Sequence, residues 1–332
     1  MKNTMVCLMM FLFCTKIAAQ TSSDLQQIGY LLTDALFYSE KYIIPITDAA
    51  VYQSSSGWVL SAKKKKNWDF NMGIHSNIFF VPKKERDFQI KNSDFQFFQI
   101  EGATQATVPT ALGNNDKQYL VGELGGEEVR FTTPGGVNQE TIIYPYFQAS
   151  LVLPYGFELL GRYSLKTQLK KGNYQVYGGG LKYSISQYFK KWETKNIHLA
   201  VAGIYSNADV SFDFLDVNTA YGNLGINRMN GIVDTWHFNL LFSKAFNKFD
   251  LNANGILNYS TFSYQVNGPK GSIENVIAVQ ETINTLLTRI ERDKINAIME
   301  ISGVYYIHKL ALQSSFAFGK FANLNIGVQY QF

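Results

Sequence analysis

Ten segments of this chain alternate apolar residues with polar or small ones, and this period of two is the feature that most limits its fold. Successive side chains of a β-strand point to opposite faces, so each segment predicts a strand with one apolar face. The segments are 68–80, 141–153, 157–166, 177–185, 196–206, 236–245, 249–260, 297–307, 309–319 and 324–332.

The composition fits strands that place their apolar face in lipid. Hydrophobic residues make up 46% of the chain and charged residues 17%, which is below the roughly 25% usual for soluble domains. Beyond residue 19, no stretch reaches the ~18 uninterrupted apolar residues of a membrane helix, which leaves a closed barrel as the membrane solution. The alternative is a soluble β-sandwich, but a row such as Asp250, Asn252, Asn254 and Asn258 is costly in a soluble core.

The first residues predict export. Lys2 precedes an apolar run over 5–14, and Ala18-Ala19-Gln20 has the small residues of a cleavage site, so we expect a signal peptide over 1–19. Both cysteines, Cys7 and Cys14, would leave with it. The 30 basic and 26 acidic residues are too balanced for a nucleic-acid partner.

Connection lengths predict a consistent topology. If the last strand ends at the periplasm, the short turns at 153–156, 246–248 and 307–309 fall on that side, and the long segments 81–140, 207–235 and 266–296 fall outside. Ten strands follow directly, and 81–140 has room for one or two further hairpins. We therefore expect an all-β fold, an antiparallel transmembrane β-barrel of 12 to 14 strands, with 14 the best estimate.

Residues 23–43 change to a helical period. Leu25, Ile28, Leu32 and Leu36 share one stripe, with Ser23 as a candidate N-cap and Pro45 beyond the end. This predicts an N-terminal segment over 20–66, ahead of a barrel over 67–332. It would either rest on the periplasmic rim or insert into the lumen as a plug.

A second helix is expected in the loop at 273–292. Its stripe comprises Ile273, Val276, Ile277, Ile283, Leu287 and Ile290, with Ser272 as a cap, Glu274 in the first turn and Arg289 and Arg292 in the last. It would pack over the barrel mouth or help to form an external site for an apolar ligand.

The sequence offers little catalytic chemistry. The histidines, His75, His198, His237 and His308, lie in four different predicted strands without metal-ligand spacing, and no G-x-S-x-G elbow or phosphate loop occurs. We expect no metal, no cofactor and no enzyme. The glycines at 178–180 are interpreted as relief of crowding inside a strand, and the lysines at 63–66 as a solvated periplasmic turn.

The last strand resembles the C-terminal strand of bacterial outer-membrane proteins, whose terminal aromatic is read by the barrel-assembly machinery. Val328, Tyr330 and the final Phe332 lie on its apolar face and are the candidate assembly signal.

The layout also resembles the FadL-like, long-chain fatty-acid transporter type of outer-membrane barrel, and most closely an uncharacterised outer-membrane family of that fold. The helical pre-barrel segment, Gly57-Trp58 with Ser61-Ala62, the basic turn and the segment 106–113 carry the resemblance. The transporters typically show Asn-Pro-Ala where this chain has Val59-Leu60-Ser61-Ala62.

The resemblance implies a 14-stranded barrel in the outer membrane of a Gram-negative bacterium. Its lumen would be blocked by the N-terminal segment, and small hydrophobic compounds would pass without energy input. The partners would be outer-membrane lipid, the assembly machinery and a hydrophobic ligand. The candidate plug or ligand residues are Leu25, Ile28, Leu32, Leu36 and Trp58. The alternative is a closed barrel with a structural or surface-interaction role.

Overall fold

The computed structural model describes the backbone of residues 2–214, 218–219, 222–223, 225–271, 274 and 278–332. Side chains are described from residue 26 onward, except at 218, 219 and 222. The signal peptide predicted over 1–19 and the side chain of Leu25 lie outside these described side chains, and both stay predictions.

Eighteen strands and three α-helices are described. The helices are α1 (Lys2–Ser55), α2 (Lys190–Glu193) and α3 (Val279–Leu287). The strands are β1 (Phe70–Phe80), β2 (Asp87–Lys91), β3 (Gln99–Ile100), β4 (Gln105–Pro109), β5 (Tyr119–Leu124), β6 (Glu127–Thr132), β7 (Thr141–Val152), β8 (Phe157–Ser164), β9 (Thr167–Leu169), β10 (Gly172–Ser184), β11 (Ile197–Asp213), β12 (Asn218–Thr219), β13 (Gly222–Asn223), β14 (Arg228–Phe246), β15 (Phe249–Asn267), β16 (Arg292–Ile307), β17 (Leu310–Phe318) and β18 (Ala322–Gln331).

Ten of these strands form one closed antiparallel barrel. Each of β1, β7, β8, β10, β11 and β14 to β18 pairs with the next along the chain, and β18 pairs with β1 to close the ring. The ten alternating segments of the sequence correspond one to one with these strands. The predicted antiparallel barrel is therefore confirmed at the level of its architecture.

The barrel has polar side chains inside and apolar side chains outside, the reverse of a sandwich core. In β1, Asn71 and His75 are buried inward while Met72 and Ile74 are exposed on the outer face. Further exposed outer side chains are Phe147, Phe238, Leu240, Leu257, Met299, Ile301, Phe316, Ile326 and Val328. Such an apolar outer band is typical of barrels in lipid. None of the described helices is long and apolar enough to cross a membrane.

The expected 14 strands are not found, because the segment 81–140 adds nothing to the wall. Its strands β2 to β6 are two to six residues long and pair only with one another, as β2–β4 and β3–β5–β6. A membrane-crossing strand needs about 9–11 residues. The apolar stretches that suggested further hairpins instead pack together beyond the barrel mouth.

The two ends of the barrel differ, and we name them by their connections. At the turn end, strands are joined by short turns such as 153–156, 247–248 and 308–309, as predicted; the longer segments 81–140, 214–227 and 268–291 lie at the loop end. Two of these were predicted as 207–235 and 266–296. They are shorter because β11, β14 and β15 run on for 17 to 19 residues and because β16 already begins at Arg292.

A change of polarity explains why the ends of these long strands were missed. Towards the loop end their inward faces turn apolar, as at Phe212, Phe262 and Tyr264, while Gln265 faces out. The period of two continues, but the apolar residues change sides. A search for one apolar outer face therefore stops too early.

Both predicted helices exist with different bounds. Helix α1 continues past Pro45 to Ser55, and Ser23 lies within it and not at its start. A proline in a helix interior costs roughly 3 kcal/mol, which the burial of the following residues offsets. Helix α3 is shorter than predicted and is followed by a 3₁₀ turn, Thr288–Ile290, whereas Arg292 begins β16. Ser272, Ile273, Val276 and Ile277 lie outside the described residues.

Candidate functional site

The barrel lumen is filled by one continuous stretch of the chain. Every residue from 46 to 62 is buried, and we call this stretch the lumenal segment. It enters at the loop end, where the Thr47 and Tyr264 hydroxyls lie 3.3 Å apart. It leaves at the turn end, where the Ala62 N–H donates to Ser243 Oγ at 2.7 Å. The chain then turns into β1.

The first part of the lumenal segment is the end of α1, and the wall has a gap that admits it. Gly231 of β14 faces inward, and a Cβ built there would lie 2.6 Å from Thr47 Cγ2. Further along, Gly57 has φ +72°, and a Cβ there would lie 2.9 Å from Asn325 Cγ. Glycine therefore allows the close approach at both positions.

Past Ser55 the segment has no regular structure, and wall side chains satisfy its backbone. The carbonyls of residues 58 to 62 each accept a hydrogen bond from an inward side chain, which meets the requirement that buried carbonyls be paired. The donors are Gln148 to Trp58 (3.0 Å), Gln313 to Val59 (3.1 Å), Asn252 to Leu60 (2.9 Å), Lys182 to Ser61 (2.9 Å) and Ser184 to Ala62 (3.2 Å). These polar side chains act as a substitute for ladder hydrogen bonds.

Trp58, the plug candidate nearest β1, lies in the centre of this arrangement. Its indole is 1% exposed, and its N–H donates to the Ser54 carbonyl at 2.6 Å. The Arg162 guanidinium lies 4.1 Å from the Trp58 ring and 4.2 Å from the Tyr146 ring. Arg162 also donates to Gln148 Oε1 at 2.9 Å. A cation between two aromatic rings thus fixes the tryptophan to the wall.

Buried carboxylates pair with cations at both ends of the segment. At the turn end, Glu158 contacts Lys182 at 2.5 Å and Lys65 at 2.9 Å. The sequence separates Lys65 from Glu158 by 93 residues, so this pairing depends on the fold. Lys166, two residues beyond the end of β8, is exposed and not part of the lumen.

At the loop end, the Asp48 carboxylate of α1 accepts from three wall cations. Arg292 Nη2 lies at 3.0 Å, Lys294 Nζ at 2.7 Å and Lys320 Nζ at 3.1 Å, while Asp48 itself is 3% exposed. Burial lowers the pKa of Lys320, but Asp48 and Glu85 together outweigh this and raise it. These contacts hold α1 against the inner face of the wall at the loop end.

Residues 26–43 of α1 lie outside the lumen, against the segment 81–140. The Asp34 carboxylate accepts the backbone N–H groups of Gln96, Phe97 and Phe98 at 2.7 to 2.9 Å. The ring of Phe37 meets that of Phe95 edge-on at 5.7 Å. This half of the helix is anchored to the loops.

Three of the predicted plug residues therefore have different surroundings from those expected. The predicted apolar stripe lies within residues 23–43, whereas the buried lumenal residues are 46–62. Ile28, Leu32 and Leu36 are half-buried, and Leu32 and Leu36 pack on the apolar cluster at the loop end. The apolar stripe was predicted from its helical period alone, and the period does not show which part of the protein packs against the stripe.

A small cavity adjoins the outer half of the helix. Its volume is about 20 Å³, room for about one water molecule. It is lined by Ala35, Tyr38, Phe98, Leu120, Phe131, Thr132, Thr133 and Pro134. Burial among these residues raises the pKa of Tyr38. A larger ligand would have to displace side chains to enter.

The lumen also contains a serine, a histidine and an asparagine joined by hydrogen bonds, a group that no sequence pattern indicates. Ser206 Oγ lies 2.6 Å from His237 Nε2, and His237 Nδ1 lies 2.7 Å from Asn258 Oδ1. All three are fully buried, so the hydroxyl is inaccessible and the group serves as a buried hydrogen-bond network. Only the register of β11, β14 and β15 brings them together.

The remaining histidines do not form a metal site. His75 and His198 lie in β1 and β11, but His308 lies in the β16–β17 turn and not in a strand as predicted. Within the described residues, no three histidine, cysteine or acidic groups come together to hold a metal ion.

The candidate assembly residues lie on the outer face where the ring closes. Val328, Tyr330 and Phe332 are 45%, 41% and 63% exposed. The Phe332 N–H donates to the Phe70 carbonyl at 2.9 Å, and their rings lie 5.4 Å apart. The terminal aromatic thus extends the seam between β18 and β1.

Fold and lumen together define a ten-stranded antiparallel barrel filled by its own N-terminal segment. The chain belongs to a family of unknown function, DUF6588, whose sequence model matches residues 1–332. A search of curated proteins found no match.

Several solved structures show a distant likeness to this chain. The CymD monoaromatic hydrocarbon channel is 9% identical, with 85% of this chain and 95% of that chain covered and a TM-score of 0.24. The Pseudomonas putida toluene transporter TodX is 10% identical, with 84% and 95% covered and a TM-score of 0.20. Salmonella typhi OmpF is 7% identical, with 80% and 97% covered and a TM-score of 0.21. Scores this low do not bear on function.

Proposed function

We propose that this protein is an outer-membrane β-barrel of a Gram-negative bacterium that passes small hydrophobic compounds passively when its lumenal segment moves aside. The observation that carries the proposal is how that segment is held. Side chains, and not ladder hydrogen bonds, bind the carbonyls of residues 58 to 62. The segment can therefore shift while the ten-stranded wall keeps its own pairing.

The loop end supports a hydrophobic substrate. Residues 26–43 and 81–140 build an aromatic cluster there, in which the ring of Tyr38 lies 5.4 Å from that of Phe88, and Phe98 lies 4.8 Å from Phe131. An apolar compound that entered this cluster would compete with the apolar stripe of α1 for the same partners. Displacement of α1 would then be coupled to binding.

A closed barrel with a structural or surface-interaction role is the second candidate. It is favoured by the salt bridges of Glu158 with Lys65 and Lys182, which are buried and well paired. A lumen filled by satisfied charges is stable without a passage. The two candidates differ in whether the lumenal segment moves.

Deleting residues 20–62 while keeping 1–19 tests the proposal. We expect an assembled barrel with raised ionic conductance in planar bilayers, because the lumen loses its filling. The control deletes residues 26–43, which lie outside the lumen, and should leave conductance near that of the intact chain. Unchanged conductance in an assembled 20–62 deletion would contradict the proposal.

Uptake of labelled aromatic hydrocarbons and fatty acids, with and without the gene, tests the substrate class. We expect uptake of some apolar compounds to fall when the gene is absent. Equal uptake across the panel would favour the closed barrel.

A further inference from the structure

The turn end carries a ring of lysines with few acids near them. Eight exposed lysines have no acidic partner within 4 Å among the described residues: Lys63, Lys64, Lys66, Lys190, Lys191, Lys195, Lys248 and Lys309. The acidic side chains on the same turns are Asp69 and Glu193. These lysines come from four separate connections, so they surround the barrel and do not form one patch.

The loop end lacks this one-sided charge. Some basic side chains there pair with acids, as in Arg130–Glu101 at 2.8 Å, Lys270–Glu274 at 3.4 Å and Arg86–Glu140 at 3.7 Å. The exposed lysines without such a pair lie among exposed acidic side chains of the same loops, namely Asp87, Asp94, Asp116, Glu123, Glu127 and Glu128. The near-balanced charge of the whole chain therefore hides a strong asymmetry between its two ends.

Exposed aromatic side chains sit beside the lysines and indicate their depth. Trp68 is 66% exposed, Tyr155 79%, Tyr188 67% and Trp192 39%. They lie on three different turns, next to the apolar outer band. Aromatic side chains of this kind form the belt at the membrane–water interface, which places lysines one or two residues away at the level of lipid phosphates.

From this arrangement we infer that the turn end is a binding surface for anionic phospholipid headgroups. The proposal rests on the barrel lying in a membrane but not on any transport through it. A ring of unpaired ammonium groups at headgroup depth attracts anionic lipid and gains little from zwitterionic lipid. A ring also fits lipid, which surrounds a barrel, better than it fits one acidic protein docked on one side.

Tryptophan fluorescence can report on this surface, because two of the four tryptophans lie on it and a third, which does not, can be replaced. Trp68 and Trp192 lie at the turn end, Trp58 is buried in the lumen, and Trp236 lies 49% exposed in mid-strand. A Trp236→Phe chain therefore fluoresces at the turn end and in the lumen. Lipids brominated on their acyl chains quench the exposed tryptophans.

The experiment reconstitutes the Trp236→Phe protein in phosphatidylcholine vesicles that contain brominated phosphatidylglycerol or brominated phosphatidylcholine. We expect phosphatidylglycerol to be preferred by about threefold or more at low salt, with the preference falling as salt rises. Replacing Lys63, Lys64, Lys66, Lys190 and Lys191 by Gln should bring the ratio close to one.

The matched control replaces five exposed loop-end lysines by Gln and should keep the preference: Lys83, Lys84, Lys91, Lys117 and Lys166. A ratio of one in the parent, or an equal fall in the control, would overturn the inference. Absence of quenching by either lipid would overturn it too, and would also count against the membrane location. The conductance and uptake experiments test transport only, so a negative result there does not contradict the lipid-binding inference.

Discussion

Single residues decide how closely the lumenal segment meets the wall. Gly231 leaves room for Thr47, and Asp48, one residue later, meets three cations. Both positions can be changed with little effect on the ladder hydrogen bonds of the wall, so they test the packing of the segment directly.

Gly231→Ala should destabilise the filled barrel. Its Cβ would lie 2.6 Å from Thr47 Cγ2, and overpacking of this kind costs about 1–3 kcal/mol. We expect a lower unfolding temperature in detergent, followed by the gel shift of heated samples. Thr47→Ser removes the clashing methyl and keeps the hydroxyl, so the double variant should recover. Gly255→Ala, where nothing lies within 4 Å of the added Cβ, is the control. Failure of the double variant to recover would count against this contact.

Asp48→Asn should loosen the segment at the loop end. The variant keeps the shape but leaves Arg292 and Lys294 without a carboxylate and Lys320 with only that of Glu85, at a cost of about 1–3 kcal/mol to the closed state. Under the proposed function, opening events in planar bilayers should become about fivefold to a hundredfold more frequent, since each 1.4 kcal/mol corresponds to about a factor of ten. Glu101→Gln breaks the exposed pair with Arg130 and should have little effect. Equal event frequencies in the two variants would be evidence against Asp48 as a restraint.

Among the elements, the wall strands were predictable and the lumenal segment was not. The strands follow from a local period of two, which can be recognised within about ten residues of each strand. Val59, Leu60 and Ala62 are apolar and Ser61 is polar, with no period to indicate that inward amides, a lysine and a serine bind their carbonyls. Those partners lie 121 to 254 residues away in the chain, so only the closed ring identifies them.

The same limit applies to helix α1 and to Ser206, His237 and Asn258. The period of α1 revealed a helix but did not show that its apolar stripe packs on the loops. For the serine, histidine and asparagine, the sequence shows three inward positions on three strands. Their contacts depend on register, which the alternation leaves open by any even number of residues.

The last strand allows a test of the terminal aromatic residue. Phe332→Asp should lower the amount of assembled protein, because it removes the aromatic contacts with Phe70 and Tyr330 at the seam. Phe318→Asp, an outer aromatic at the loop end of β17, is the control and should assemble better. The amount of assembled protein is measured as the fraction that migrates as the folded form on gels when the sample is not heated. Equal levels would show that the terminal aromatic has no special role in assembly.

At the scale of the whole molecule, a closed ring of ten strands should behave as one cooperative unit. We expect the protein to leave membranes only with detergent and to migrate differently on gels before and after boiling, since no strand of the ring has a free edge. Recovery from the periplasm without detergent would contradict this.

The closure of the ring also constrains the order in which the chain assembles. The lumenal segment leads directly into β1, and β1 pairs with β18, the last strand of the chain. On its N-terminal side, at the loop end, the lumenal segment continues into residues 26–43, a helical stretch that is hydrogen-bonded to the loops. If the seam closed first, that stretch would have to travel the whole length of the lumen to reach the loops. We therefore expect the segment to be in place before β18 pairs with β1, so that the wall closes around a lumen that is already filled.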